Sequence, residues 1–165
     1  MDKITRSLDL GCGEKPRNPM DRDEIWGLDI RDLSDKFIKK ADVVLEPIPF
    51  DDDYFDTISA FDFIEHIPRV IYAPGLKFPF VELMNEIHRC LKIGGTFISF
   101  TPCFPSPIAF QDPTHVNIIT EQTFSHYFCE PRLWGYMYGF TGKFHLEKQG
   151  WHTNKTHLIS YLKKC

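Results

Sequence analysis

The stretch "SLDLGCGEKPRNPMDRDEIWGLDI", residues 7–30, decides the fold of this chain. It predicts a short buried strand over residues 7–10, a glycine turn, and a second strand over residues 25–30 that carries Asp29 near its end. Proline cannot sit inside a helix and disfavours helical backbone at the residue before it, so Pro16 and Pro19 disfavour a regular helix between the two strands. The stretch therefore predicts two sheet strands joined by a shortened connection.

The remaining chain extends this pattern into a sheet. Strands are predicted at residues 41–45, 55–61 and 95–100, and an amphipathic helix that Gly94 ends is predicted between the last two. The repeated order of strand, connector and strand predicts a doubly wound, Rossmann-like α/β sheet that is mostly parallel. After residue 100 we expect a proline-rich loop, a short helix beginning near Thr120, and a closing antiparallel strand pair.

Composition narrows the class of protein. With 165 residues and 42% hydrophobic content, we expect a single domain over residues 1–165. A net charge of −4 without a basic patch disfavours nucleic acid as the main ligand. No signal-peptide pattern, no run near 18 apolar residues, and five cysteines without a CxxC pair predict a soluble cytoplasmic protein with no membrane segment.

The glycine turn indicates which cofactor fits. Gly11 and Gly13 let a ligand approach the backbone closely, but Pro16 stands where a dinucleotide fingerprint needs its third glycine. Asp29 lies at the end of the second predicted strand, where a carboxylate can accept hydrogen bonds from both ribose hydroxyls. A nucleoside without phosphates therefore fits better than NAD, and a nicotinamide dehydrogenase is the weaker alternative.

Four segments together carry a family resemblance. They are "LDLGCG" at 8–13, "GLDI" at 27–30, "ADVVLEPIPFDDDYFDTISAFDFIEHI" at 41–67 and "EIHRCLKIGGTFISFTP" at 86–102. In this order they resemble the class I S-adenosylmethionine-dependent methyltransferases, specifically compact, type 11-like bacterial members in which a short "GCGxKP" loop replaces the first helix. The resemblance implies S-adenosylmethionine as cofactor and methyl transfer as activity.

The resemblance also implies a role for each matching position. Asp29 would bind the ribose hydroxyls, Ile30 would contact the adenine, and Leu45 would flank the adenine from the third strand. Phe61 and Asp62 would close the site near the methionine part of the cofactor. The face of the site that contacts the methionine and ribose parts would be formed by Asp9, Gly11, Cys12 and Gly13. Two of these acids have plainer interpretations, because Asp9 could cap a turn and Asp62 could be a solvated loop acid.

The acceptor side is represented by "FQDPTHVN" at residues 110–117, a loop that follows the fifth predicted strand. His115 could deprotonate an acceptor oxygen while Asp112 orients the imidazole. Alternatively, Asp112 caps a turn and His115 holds the loop to the domain. Glu65 and His66 could likewise have a purely structural role, in which they fix a helix after the fourth strand.

Other candidate features are weaker. Cys103 follows the fifth strand, not the fourth, and so does not match a cytosine methyltransferase nucleophile. The histidine spacing matches no metal motif, so no metal is predicted. The run "LWGYMYGF" at residues 133–140 could wall an acceptor pocket or pack on the sheet.

These features predict transfer of a methyl group from S-adenosylmethionine to a small-molecule or sugar-like acceptor, with O-methylation preferred because of His115. A cofactor-binding partner or regulatory subunit without transfer activity is the alternative, because the usual lid and acceptor-recognition insertions are small or missing. A second copy could supply a lid, which keeps a homodimer open.

Overall fold

A computed structural model describes residues 4–165 and builds them around one seven-stranded sheet. The order across the sheet is β3-β2-β1-β4-β5-β7-β6. The first five strands are parallel, and β7 runs antiparallel between β5 and β6. The predicted Rossmann-like sheet with its C-terminal antiparallel pair is confirmed. The strands are β1 (Arg6–Leu10), β2 (Glu24–Asp29), β3 (Ile38–Lys40), β4 (Phe55–Phe61), β5 (Leu91–Pro102), β6 (Phe144–Trp151) and β7 (His157–Lys164).

Three α-helices accompany the sheet: α1 (Pro79–Cys90), α2 (Ile108–Gln111) and α3 (Glu121–Tyr127). No helix joins β1 to β2 in the described chain, which confirms the shortened connection expected from the two prolines. Thr120 caps α3 through a reciprocal capping box with Thr123, so the predicted start near Thr120 is also confirmed. Short 3₁₀ helices cover Ile64–His66 and Trp134–Tyr138.

Two predicted boundaries are wrong. The third strand is β3, and residues 41–45 form a turn because the Asp42 side chain accepts a hydrogen bond from the amide of Val44 and the Asp42 carbonyl accepts one from Leu45. Helix α1 ends at Cys90, before Gly94, because Leu91 is already extended and pairs with Phe55 of β4. Gly94, with φ +77°, lies instead within β5 where the β4–β5 register shifts.

Apolar packing covers the sheet and fixes α1 against it. Phe80, Leu83, Met84 and Ile87 recur at helical spacing on α1, and all four are buried. Aromatic residues after β4 complete this core, with Phe97, Phe124, Phe128 and Phe144 fully buried. Within residues 4–165, no helix is long and apolar enough to cross a bilayer.

The parallel strands end together at one edge of the sheet. Leu10 pairs with Leu28 on one side and with Ala60 on the other, and Phe61 pairs with Phe100. The loops that follow β1, β2, β4 and β5 therefore leave the sheet at its carboxyl edge, where ligands bind in open α/β sheets.

Candidate functional site

The turn after β1 is held in a conformation that requires glycine. Gly11 and Gly13 have φ of +65° and +61°. The amides of Gly11 and Cys12 donate to the carbonyl of Leu28 at 2.8 and 3.1 Å, which ties the turn to β2. A Cβ on Gly11 would lie 2.3 Å from the Phe63 ring, so any other residue would displace that ring. Glycine at position 11 therefore allows the Phe63 ring to pack on the turn at the carboxyl edge.

Asp29 ends β2 as an ionised hydrogen-bond acceptor. Its Oδ2 accepts from the Gly13 amide at 3.0 Å, and its Oδ1 accepts from Arg31 Nε at 2.9 Å. The hydrogen bond from Arg31 holds the pKa of Asp29 below its usual range. Asp29 is 6% exposed whereas the Arg31 side chain is 60% exposed, so Arg31 can give way to ligand hydroxyls without disturbing the core.

Asp9 lies within β1 and supports the turn from below. Its Oδ1 accepts from Ser59 Oγ and its Oδ2 accepts from the Arg17 amide, both at 2.8 Å. Complete burial raises the pKa of Asp9. Arg17 in turn places its guanidinium over the Phe61 ring at 4.9 Å. These are the contacts of a capping residue that fixes the loop between Gly13 and Arg17 against β4.

The other predicted cofactor positions surround this turn. Cys12 is buried, and burial with the nearby charges of Asp9 and Asp29 raises the pKa of its thiol to about 11. Ile30 is 61% exposed beside Asp29, and Leu45 is 72% exposed. Leu45 belongs to the turn after β3 and not to a strand, which corrects its expected position.

Phe61 and Asp62 mark the end of β4, as the sequence predicts. Asp62 is exposed, has φ +50°, and places Oδ1 3.0 Å from Nε2 of His157 on β7. The His157 ring stacks on Phe100 at a centroid distance of 4.5 Å. The end of β4 is thus connected to β5 and β7, and Asp62 is more than a freely solvated acid.

The loop after β5 brings Asp112 and His115 together. Asp112 Oδ1 accepts from the amide and the hydroxyl of Thr114 at 2.8 and 2.7 Å, and these bonds lower the pKa of Asp112. Asp112 Oδ2 lies 4.0 Å from Nε2 of His115. Asp112 therefore caps the turn and also faces the imidazole, so the two expected roles are compatible. The opposite ring atom, His115 Nδ1, is buried and has no protein partner.

Glu65 connects this loop to the end of β4, a contact that sequence spacing did not indicate. The Glu65 carbonyl accepts from the amides of Val116 and Asn117, each at 2.9 Å. The Glu65 carboxyl is buried, with Oε2 bonded to Thr101 Oγ1 at 2.9 Å and Oε1 without a partner, and burial raises its pKa. Only the repeated placement of polar residues after β4 and β5 could have signalled this cluster.

An aromatic cavity of about 590 Å³ lies between the start of α1, helix α3 and the 3₁₀ helix at Trp134–Tyr138. Trp134 and Tyr138 line it, whereas Phe140 of the same run is buried in the core. Arg69 also lines it and donates from Nε to Asn117 Oδ1 at 2.7 Å. The aromatic run therefore serves both as core and as cavity wall.

Comparison with known proteins identifies the class. The model of the methyltransferase domain family matches residues 8–99, which include the glycine turn, Asp29 and β4. The chain therefore belongs to the methyltransferase domain family, and its cofactor is S-adenosylmethionine, as the sequence predicts. No curated protein matches the sequence.

Solved structures share the fold at low sequence identity. A SAM-dependent methyltransferase from Archaeoglobus fulgidus matches 98% of this chain and 86% of its own, with a TM-score of 0.60 and 16% identity. A methyltransferase described as putative, in complex with the Haloferax volcanii Trm112 activator, matches 99% and 84%, with a TM-score of 0.63 and 14% identity. Geranyl diphosphate C-methyltransferase from Streptomyces coelicolor A3(2), bound to Mg²⁺, geranyl diphosphate and S-adenosyl-L-homocysteine, matches 98% and 71%, with a TM-score of 0.63 and 12% identity. These likenesses concern the fold.

Proposed function

We propose that this chain, acting as a single domain over residues 1–165, transfers a methyl group from S-adenosylmethionine to a hydroxyl of a small-molecule or sugar-like acceptor. The observation that carries the proposal is the junction at the end of β4. Phe63 packs on Gly11 of the cofactor turn, and two residues later Glu65 holds the loop that carries His115. The proposed cofactor turn and the proposed proton acceptor thereby share one edge of the sheet.

The cofactor would lie along the glycine turn. Gly11, Cys12 and Gly13 would contact its methionine and ribose parts through backbone, with Asp9 holding the loop in place. Asp29 would accept hydrogen bonds from the ribose hydroxyls in place of those from Arg31. The exposed side chains of Ile30 and Leu45 would flank the adenine, and Phe61 and Asp62 would close the methionine end.

The reaction requires little from the protein beyond positioning and the removal of one proton. When bound, S-adenosylmethionine supplies a methyl group on a positively charged sulfur. The acceptor oxygen bonds directly to this methyl carbon and displaces the sulfur. His115 Nδ1, buried and unpartnered, would take the proton that the hydroxyl loses, and Asp112 would hold the proton on Nε2 of the same ring. The 4.0 Å separation of Asp112 and His115 would shorten as the imidazole becomes charged.

The aromatic cavity would receive the body of the acceptor. Its rings offer flat apolar surfaces on which an aromatic ring or a sugar face can stack. Arg69 on its wall is bonded to Asn117 and to the carbonyl of Ile118, so the loop that carries His115 is held against this wall. A small organic molecule with a hydroxyl group fits this cavity better than a polymer does.

The proposed setting is a reducing compartment such as the cytoplasm. Cys12, Cys90, Cys103 and Cys129 are free and buried.

The net charge of −4 gives little attraction for nucleic acid. A second copy of this chain remains a candidate for covering the exposed cofactor turn as a homodimer.

Methyl-labelled S-adenosylmethionine tests the proposed function. The purified protein is incubated with pools of phenols, sugars and hydroxy acids and with cell extract, and labelled products are identified by mass spectrometry. Label on an acceptor oxygen supports the proposal, and label on carbon or nitrogen contradicts O-methylation. Cofactor binding without transfer to any acceptor would favour the non-catalytic subunit instead.

A further inference from the structure

We propose that Glu65, His66 and His115 form a binding site for a divalent transition-metal ion, with Zn²⁺ as its occupant. Each side chain offers one ligand atom, and the three atoms lie within 4.8 Å of one another. The residues come from the 3₁₀ helix after β4 and from the loop after β5, so the fold brings together residues that are about fifty positions apart.

Burial of unsatisfied groups is the first independent observation. Glu65 Oε1 and His115 Nδ1 are both buried and neither has a hydrogen-bond partner. Glu65 is 1% exposed, and the His115 side chain is 8% exposed. Buried polar atoms are normally paired, so two orphaned polar atoms in one cluster of three residues indicate a missing partner. A cation would satisfy both atoms at once.

The hydrogen bonds around the imidazoles are the second observation. Thr114 Oγ1 donates its only proton to Asp112 Oδ1, so the 3.0 Å contact between Thr114 Oγ1 and His66 Nδ1 needs a proton on Nδ1. His66 Nε2 is then left with its lone pair. Asp112 Oδ2 lies 4.0 Å from His115 Nε2, across the ring from the buried and unpartnered Nδ1.

Asp112 is therefore linked to the His66 imidazole through Thr114 and lies 4.0 Å from the His115 imidazole. Metal-binding histidines characteristically donate their second ring N–H to such an outer carboxylate or hydroxyl. Two imidazoles and one carboxylate favour Zn²⁺ and related ions over Mg²⁺ or Ca²⁺, which prefer oxygen ligands. Three protein ligands also leave a coordination position open.

Ion binding goes beyond the proposed reaction and does not depend on it. If the O-methylation proposal holds, an ion at this site would bind the acceptor oxygen and lower the pKa of its hydroxyl, so that the proton is lost to solvent water instead of to His115. Titration with metal ions measures ion binding alone, so its result can be interpreted even if the acceptor screen fails.

Metal-free protein is titrated with Zn²⁺ by calorimetry and with Co²⁺, whose visible spectrum reports coordination. We expect one ion per chain, and at least a ~100-fold loss of affinity in His66→Ala and in His115→Ala. Asp112→Asn should weaken binding by about 10- to 100-fold, because it only orients the ligands. His145→Ala removes an exposed imidazole on β6 and should change nothing.

His66 is exposed, so its removal should leave the fold intact, and S-adenosylmethionine titration of each variant verifies this. Absence of Zn²⁺ and Co²⁺ binding to the unaltered chain would overturn the proposal. Unchanged binding in His66→Ala and His115→Ala would overturn it equally, because the ion would then bind elsewhere.

Discussion

The cofactor turn and the acceptor loop lie at the same edge of the sheet, yet they are built in different ways. The turn after β1 takes its shape from the left-handed glycines Gly11 and Gly13 and from the carbonyl of Leu28 on the next strand, and Phe63 packs on it from the end of β4. The loop after β5 is held by residues about fifty positions away, Glu65 and Arg69. The proposed cofactor site is thus built mainly from two adjacent strands and their turns, whereas the proposed acceptor site depends on contacts between segments that are far apart in the sequence.

The largest effect is expected at the acceptor loop. His115→Ala should lower the turnover number about 1000-fold, because positioned general bases contribute roughly 100- to 10,000-fold, while S-adenosylmethionine affinity stays within about twofold. Turnover is measured with an acceptor found in the screen, and affinity by calorimetry. His145→Ala is the matched control. Lost cofactor affinity in His115→Ala would show that the two regions are not separable.

The next effect should appear in the cofactor turn as stability. Gly11→Ala should lower the free energy of unfolding by about 3 kcal/mol, because the left-handed backbone and the collision with Phe63 each add a penalty. Gly139→Ala isolates the backbone contribution, since Gly139 has φ +91° and open space, and should cost about 1 kcal/mol. Urea denaturation measures both. Equal losses would mean that Phe63 does not pack on the turn as described.

Substitution of one asparagine in each region should distinguish the two regions, with smaller effects than those above. Asn117 bonds to Arg69 and to the carbonyl of Ile64 in the acceptor region, whereas Asn18 bonds twice to the backbone of Arg22 near the cofactor turn. Asn117→Ala should cost about 2 kcal/mol of stability, because it leaves buried groups unpaired, and should impair transfer more than cofactor binding. Asn18→Ala should impair cofactor binding more than transfer. Calorimetry and the transfer assay distinguish the two patterns.

The smallest effect is the pH dependence of Asp29. Arg31 lowers the pKa of Asp29 in the folded chain. The ionised Asp29 therefore stabilises the fold above the unfolded pKa of 3.8, and this stabilisation is lost as pH falls through the lower folded pKa. Asp29→Asn should therefore reduce stability at pH 7 and progressively less below pH 3.8. Denaturant titrations from pH 7 to pH 3 measure this, with exposed Asp51→Asn as control. A difference that grows on acidification would contradict the ionised carboxylate.

The contrast between the regions also explains what the sequence could predict. Strands β1, β2 and β4 were predictable because buried parallel strands are short apolar runs bounded by turn residues. The segment at 41–45 has the same apolar character, but the Asp42 turn, visible only from its hydrogen bonds, overrides it. Gly94 resembled a helix end because a left-handed glycine serves a strand bulge equally well.

The candidate site divides in the same way. Asp29 and the glycines could be proposed from their positions at the ends of the first two predicted strands. Asp112 and His115 share one loop, so their pairing was also accessible. The orphaned atoms of Glu65 and His115 and the hydroxyl link from Thr114 to His66 depend on burial and on long-range approach, which no spacing rule contains.

Calorimetric titration of the unaltered chain and of Asp29→Ala with S-adenosylmethionine, S-adenosylhomocysteine and NAD tests the central claim most directly. We predict micromolar binding of the two sulfur nucleosides, no binding of NAD, and a loss of about 100-fold in affinity in Asp29→Ala, because the carboxylate would accept two charge-assisted hydrogen bonds from the ribose hydroxyls. Equal affinity in the variant would contradict the placement of the cofactor at the end of β2.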